Sequence, residues 1–162
     1  MNHNFFEKVS FEEYKKHTAS PDPLREYNSI KLPKRATMFS AGYDFYTPVS
    51  IYIKPGETIL IPTGIRAVLD YDKYLALYPR SGLGFKFGMG LSNTVGIIDA
   101  DYSESDNGGH IMAKFVNNGT QPIVLNSGDA VMQGIITPYF VTYNDETTAR
   151  RNGGFGSTDK KE

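Results

Sequence analysis

Short segments of alternating apolar and polar residues run through the middle of this chain, and they constrain its fold more than any other feature. Such period-two alternation is typical of β-strands that bury one face. Segments with this pattern lie at residues 51–53, 58–61, 65–69, 74–78, 111–115 and 123–125. Turn-forming Pro, Gly and Asn residues separate them, at 54–57, 62–64, 117–119 and 126–129. We therefore predict an all-β fold, an antiparallel jelly roll or β-sandwich.

The two ends of the chain differ from this middle part. A chain of 162 residues has the size of one domain. Residues 30–142 carry the strand pattern and form the predicted core, while residues 1–29 form an N-terminal extension. In residues 143–162 the apolar alternation stops and the sequence becomes polar and glycine-rich, which predicts a mobile C-terminal arm.

The N-terminal extension carries one helix signal. Ser10 followed by Glu13 makes a capping box, so we predict a short helix from about Phe11 to His17. The Ser-Pro-Asp-Pro segment at 20–23 is expected to end that helix.

The charge balance argues against partners that are recruited by a large net charge on the protein. Seventeen Lys and Arg residues against eighteen Asp and Glu residues leave a net charge of −1, which predicts neither nucleic acid nor an anionic membrane as a partner. No stretch is long and apolar enough for a membrane span, and we expect no secretory signal. The absence of cysteine excludes disulfides, cysteine-held zinc and a thiol nucleophile, and it fits a cytoplasmic location.

Two segments of the predicted core combine residue types that suit a bound polyphosphate. Residues 96–102, Gly-Ile-Ile-Asp-Ala-Asp-Tyr, set a carboxylate at the end of an apolar strand, three residues before an aromatic ring. Residues 79–88 form a glycine-rich loop in which Arg80 and Ser81 add a cation and a hydroxyl to backbone amides that can approach phosphate oxygens. Taken singly, the first segment also fits a strand that ends in a solvated turn, and the second fits an ordinary turn.

The C-terminal arm supplies a third such segment. Residues 150–158 combine arginine, glycine and serine with Phe155, a ring that needs an apolar partner such as a stacked base. A disordered, solubilising tail is the alternative interpretation. The three segments together describe one site for a nucleoside polyphosphate.

The histidines show no metal-ligand spacing. His3, His17 and His110 are scattered along the chain. We therefore predict no metal held by protein side chains alone, and we expect each histidine at the surface.

Five motifs occur here in an order that characterises one enzyme family. They lie at residues 41–45 (Ala-Gly-Tyr-Asp-Phe), 79–84 (Pro-Arg-Ser-Gly-Leu-Gly), 96–102, 128–133 (Gly-Asp-Ala-Val-Met-Gln) and 150–158. With them the sequence resembles the trimeric deoxyuridine triphosphatase (dUTPase) family from about residue 30 to the C-terminus. The resemblance implies hydrolysis of dUTP to dUMP and pyrophosphate, which limits uracil incorporation into DNA and supplies dUMP for thymidylate synthesis.

The resemblance also implies roles for individual residues. Asp99 would activate the water that attacks the α-phosphorus, Asp44 would support it near the metal-bound water, and Tyr102 would lie against the deoxyribose. The phosphates would be held by Arg80, Ser81, Gly82 and Gln133. The uracil would be read by the hairpin at 93–98, which includes Asn93, Gly96, Ile97 and Ile98, with Met112 as a further base-pocket residue. In the tail, Arg150 would bind the γ-phosphate and Phe155 would stack on uracil, with hydrogen bonds from Gly156 and Ser157.

For the assembly, the family implies a homotrimer in which each site takes the Asp99 hairpin from one chain, Arg80 and Ser81 from a second, and the tail from the third. Its Mg²⁺ would be held mainly by the triphosphate and water. Residues 103–108 are an insertion of about five residues relative to the family pattern, polar enough to be solvated. Two alternatives stay open: a dCTP deaminase-like enzyme, which has a glutamate where this chain has Asp99, and a regulatory trimer that binds a protein partner through loop 103–109.

Overall fold

The chain folds into an antiparallel, mostly β structure, as the alternation predicts. The structure is a computed structural model that describes residues 3–149, 151 and 153. Within them lie twelve strands: β1 (Phe5–Lys8), β2 (Lys34–Arg35), β3 (Tyr43–Tyr46), β4 (Ile51–Ile53), β5 (Thr58–Pro62), β6 (Ile65–Val68), β7 (Lys73–Pro79), β8 (Met89–Leu91), β9 (Gly96–Asp99), β10 (Met112–Asn117), β11 (Ile123–Leu125) and β12 (Ala130–Pro138). The helices are α1 (Phe11–Lys15), α2 (Pro23–Ser29) and α3 (Ser81–Phe87), and a 3₁₀ helix spans Ala100–Glu104.

The described strands form two pairs, β1-β6 and β4-β11, and two larger sheets that enclose the core. One has five strands in the order β2-β3-β12-β7-β9, and the other has three in the order β5-β10-β8. Side chains from both, such as Phe45 and Leu75 of the first and Ile61 and Phe115 of the second, are fully buried in one hydrophobic cluster. Burial of this apolar surface is the main stabilising contribution to the fold.

The N-terminal extension packs onto the core. Strand β1 pairs antiparallel with β6, and α1 begins where predicted, with the Ser10 hydroxyl accepting a hydrogen bond from the Glu13 amide at 3.2 Å. The helix ends at Lys15, two residues earlier than predicted. Tyr14 is fully buried and donates a hydrogen bond to Glu26 at 2.6 Å, which ties α1 to α2.

Helix α2 was not predicted, because the prolines at 20–23 were treated only as terminators. Asp22 accepts a hydrogen bond from the Arg25 amide at 3.1 Å, and Pro23 occupies the first turn of the helix. Proline is favoured there, since its missing N–H would have no partner inside the helix in any case. The same segment therefore ends one helix and begins the next.

The glycine-rich segment at 79–88 is not a loop as predicted. Residues 81–87 form α3, and Gly88, with a φ of 68°, ends it by donating its amide to the Gly84 carbonyl oxygen at 2.9 Å. A left-handed residue at this position is a common helix terminator and favours glycine. Among the described residues, no helix is long and apolar enough to cross a membrane.

Candidate active site

Asp99 lies at the exposed end of an edge strand. In β9 the side chains alternate between buried and exposed, so Gly96 and Ile98 face inward while Ile97 and Asp99 face outward. Asp99 pairs with Tyr74 of β7, and its side chain is 51% exposed. The sequence pattern thus predicted both the strand and its terminal carboxylate, and the structure leaves that carboxylate accessible to water.

Tyr102 is fixed next to this carboxylate. The 3₁₀ helix begins directly after Asp99, and Tyr102 within it is 5% exposed. Its hydroxyl donates to the His110 carbonyl oxygen at 2.9 Å and accepts from the Asn107 amide nitrogen at 2.9 Å. Burial raises the pKa of the Tyr102 hydroxyl, so it stays neutral. The ring can therefore act as a rigid surface beside Asp99.

The segment at 103–109 is folded rather than fully solvated, which corrects the expectation for the insertion. Ser105 is 5% exposed, and the Arg66 guanidinium donates to the carbonyl oxygens of Ser103 at 3.5 Å and Gly108 at 3.4 Å. Gly109 has a φ of +76°, and a Cβ there would lie 2.7 Å from the Ser103 Cα. Only glycine fits this position, where the segment closes tightly against the turn that carries Tyr102.

Three of the four predicted phosphate-binding residues, Arg80, Ser81 and Gln133, meet Asp44 at another place on the sheet. Arg80 lies against Asp44, with 3.1 Å between Nε and Oδ1, and Gln133 pairs with Asp44 in the β12–β3 register. Ser81 lines the same surface pocket. Asp44, expected near the metal-bound water, thus forms an ion pair with the predicted phosphate-binding arginine. Gly82 lies one residue further along α3 and is exposed.

The predicted base-pocket residues line one cavity. It has a volume of about 260 Å³ and is bounded by Asn93, Gly96, Ile97, Ile98 and Met112, with further apolar residues from β7 and β8. A Cβ at Gly96 would lie 3.1 Å from the Leu77 Cβ, so glycine keeps the strands close at the cavity wall. The cavity combines an apolar interior with backbone groups of the 93–98 hairpin, which suits a planar heterocycle.

Within one chain, Asp99 and the phosphate-site residues do not meet. Asp99 pairs with Tyr74 of β7, whereas Gln133 pairs with Tyr78 of the same strand. Four residues of strand separate these positions by about 13 Å. In a single chain, the residues of the predicted site therefore lie at two separate places along one sheet.

The tail reaches the Asp99 end of this sheet through a residue that was not predicted. The Arg151 guanidinium lies 2.5 Å from Asp99 (Nη2 to Oδ2) and 2.9 Å from Asp101 (Nε to Oδ1). It also lies over the Tyr102 ring, 5.6 Å from the ring centre. The doubled arginine at 150–151 was the only sequence signal for it. The predicted tail residues Arg150, Phe155, Gly156 and Ser157 lie outside the described residues.

His17 and His110 lie close together beside helix α1. The prediction that every histidine lies at the surface is wrong for His110. His110 is fully buried, and the ligand-type atoms of Glu13, His17 and His110 lie within 4.8 Å of one another. The His110 Nε2 accepts the Gly64 amide at 3.0 Å, so a neutral ring carries its proton on Nδ1. That Nδ1 has no hydrogen-bond partner, since Glu13 Oε1 is 4.0 Å away. A metal would need the Nδ1 lone pair, so these three side chains do not fit a metal site as arranged.

The model of the dUTPase family matches residues 28–159 of this chain. The deoxyuridine 5'-triphosphate nucleotidohydrolase of Lactococcus lactis is 41% identical over 132 residues, which cover 80% of this chain and 88% of the relative. The enzyme of the same name from Bordetella pertussis is 41% identical over 143 residues, covering 83% and 90% of the two chains.

Solved structures give the same result for the fold. The crystal structure of dUTPase from Streptococcus mutans superposes with a TM-score of 0.67 at 34% identity, over 85% of this chain and 97% of that chain. A dUTPase from phage phi11 of S. aureus, described with a structural Mg(II) ion, superposes with a TM-score of 0.68 at 18% identity, over 91% and 98%. At that identity the second likeness concerns the fold alone.

Proposed function

The present chain belongs to the dUTPase family, and from this premise we propose that it hydrolyses dUTP to dUMP and pyrophosphate, with Asp99 activating the attacking water. The observation that carries the proposal is the continuity of β9. The three residues that precede Asp99 line the predicted base cavity, so one short strand joins the base pocket to the carboxylate. A nucleotide whose base enters the cavity would have its sugar and α-phosphate beside Asp99 and Tyr102.

The chemistry asks for positioning and for neutralisation of charge on the phosphates. Asp99, exposed at the strand end, can hold a water molecule and accept its proton. Arg80 can stabilise the charge that develops on the phosphate oxygens, since a guanidinium binds phosphate through two parallel hydrogen bonds. Mg²⁺ would be held mainly by the triphosphate and water, and the ion would add positive charge beside the exposed carboxylate of Asp99.

Base and sugar selection follow from the two neighbouring surfaces. Backbone donors and acceptors of the 93–98 hairpin would pair with the uracil edge, and cytosine would leave one of them unpaired at a cost of about 1–3 kcal/mol. The Tyr102 ring is held by two hydrogen bonds of its hydroxyl, so it cannot withdraw to admit a 2′-hydroxyl.

The distance along β7 between Asp99 and the phosphate-binding residues supports an active site shared between chains. About 13 Å of strand separates the backbone position of Asp99 from that of Gln133, next to Arg80, which favours a site that takes these residues from different chains. We propose the family's homotrimer, in which the Asp99 hairpin of one chain meets Arg80 and Ser81 of a second and the tail of the third.

The two alternatives from the sequence are not favoured. The family match and the names of the relatives both point to dUTP hydrolysis rather than to deamination. Residues 103–109 hold the Tyr102 turn in place through Asn107 and the Arg66 contacts, which explains the segment without a protein partner.

Pyrophosphate release measured with dUTP, dCTP, dTTP and UTP in the presence of Mg²⁺ tests the proposed function. We expect turnover of dUTP at a kcat/KM at least about a hundredfold above that of the other three, because several buried contacts discriminate among them. Ammonia release from dCTP, or equal turnover of dUTP and UTP, would contradict the proposal.

A further inference from the structure

The Arg151 side chain covers the groups that the reaction needs. Its side chain is only 19% exposed, because it lies between the carboxylates of Asp99 and Asp101 and above the Tyr102 ring. These contacts join positions 50 and 52 residues apart in the chain. No other described cation contacts Asp99 or Asp101.

These contacts and a bound nucleotide exclude each other. Under the proposed function, Asp99 must hold the attacking water, and the Tyr102 ring must face the deoxyribose. The guanidinium is bonded to an Asp99 oxygen at 2.5 Å and lies over that same ring, so it occupies the space of both.

We propose that Arg151 is an internal competitor of the nucleotide: in the substrate-free enzyme it neutralises the Asp99–Asp101 pair of its own chain, and it must leave that pair before dUTP and the tail of another chain can occupy the site. The inference rests on the proposed roles of Asp99 and Tyr102. It adds a residue that tunes substrate affinity without taking part in the chemical step.

Arginine suits this task better than lysine. Its planar guanidinium donates to two carboxylates at once through Nε and Nη2 and can stack on an aromatic face, as it does here. Two carboxylates that lie two residues apart repel each other, and a shared cation removes that repulsion until the nucleotide brings its own Mg²⁺.

The exposure of the carboxylates limits the strength of this competition. Asp99 is 51% and Asp101 40% exposed, so solvent screens both ion pairs. Removal of the guanidinium should therefore strengthen nucleotide binding by about threefold to tenfold. Arg151 would raise the substrate concentration that the enzyme needs rather than switch the enzyme off.

The test is the dissociation constant of a non-hydrolysable imido analogue of dUTP, measured calorimetrically with Mg²⁺ on the full chain. Arg151→Gln should bind the analogue about threefold to tenfold more tightly than the wild type, and its KM for dUTP should fall in parallel while kcat changes less than about twofold. The dissociation constant of Arg151→Lys should lie between those of the wild type and Arg151→Gln. Lys54→Gln removes one positive charge at a remote turn, where Lys54 lies near Glu57, and serves as the matched control.

A second variant tests the contact itself. Asp101→Asn should also strengthen binding, and adding it to Arg151→Gln should bring no further gain, since the Arg151–Asp101 ion pair is already absent in that variant. Equal or weaker binding by Arg151→Gln, or an equal gain in Lys54→Gln, would overturn the inference. If the wild type neither binds the analogue nor hydrolyses dUTP, the proposed function fails instead, and the two failures are thereby distinguished.

Discussion

A carboxylate that takes a proton in the reaction can be distinguished from one that only contributes charge. Asp99→Asn keeps the shape of the side chain but cannot accept a proton, so we expect kcat to fall by about 10²- to 10⁴-fold while the imido analogue of dUTP still binds. Asp106→Asn removes a charge from an exposed position of the neighbouring segment and should retain wild-type turnover. An Asp99→Asn enzyme with near wild-type kcat would remove this residue from its assigned role.

His110 makes the stability of the fold depend on pH. Burial, with a contribution from His17, lowers the pKa of its imidazole from 6.5 to about 4, although Glu13 acts in the opposite direction. The unfolded chain therefore binds a proton more readily, and the free energy of unfolding should be constant above about pH 6.5 and fall between pH 6.5 and 4, by up to about 3 kcal/mol.

Urea unfolding at fixed chain concentration, at pH 7.5, 6 and 5, measures this loss. His110→Gln should show a smaller decrease over that range than the wild type. His3→Gln is the control, because the His3 side chain is 72% exposed. A wild-type pH dependence in His110→Gln would assign the loss to other groups.

At the scale of residues, the sequence predicts the position of a residue within a strand or turn better than its contacts with residues remote in sequence. Asp99 and Tyr102 were found from their place at the end of an apolar strand. His110 was expected at the surface, because its burial depends on the N-terminal helix that packs over it and is remote in sequence. The role of Arg151 is not predictable for the same reason, since its partners Asp101 and Asp99 lie 50 and 52 residues earlier in the chain.

At the scale of elements, substitutions at two glycines can distinguish the stability lost through an unfavourable backbone conformation from the stability lost through steric overlap. Gly56 and Gly109 both have positive φ, at +78° and +76°, but a Cβ at Gly56 would meet no atom within 4 Å, whereas one at Gly109 would lie 2.7 Å from the Ser103 Cα. Gly56→Ala should cost about 1 kcal/mol of stability and Gly109→Ala about 3 kcal/mol.

Urea unfolding of the two variants under the same conditions checks this difference. Gly109→Ala should also reduce turnover, because residue 109 packs against the turn that follows Asp99, whereas Gly56→Ala should not. Equal stability losses would show that segment 103–109 adapts to the added methyl group.

Elements with a regular pattern were predictable, and irregular ones were not. The strands at 51–53 and 123–125 match β4 and β11, because each alternates strictly between core and solvent. Strand β12, the longest, was missed as a strand. A register shift between Ala130 and Met132 breaks its alternation, and it is paired on both sides, so its burial pattern has no simple period.

At the scale of the whole molecule, complementation between two inactive chains tests the shared site. Asp99→Asn and Arg80→Gln should each be inactive alone, but trimers mixed by co-refolding should regain about one quarter of wild-type activity, because random exchange gives that fraction of sites one intact Asp99 and one intact Arg80 from different chains. Each parent refolded by itself is the control. Native mass spectrometry should confirm that mixed trimers form, and their inactivity would refute the shared-site arrangement.

The distance along β7 has a consequence for how activity responds to the amount of protein present. In the proposed shared site, Asp99 and the phosphate-binding Arg80 lie near different ends of β7, so an isolated chain would hold two half-sites and no complete one. Turnover would then require assembled chains, and below the concentration at which the trimer dissociates the rate should fall more steeply than in proportion to dilution. A cell that makes little of this protein would thus lose more of its dUTP-clearing capacity than the drop in protein alone implies.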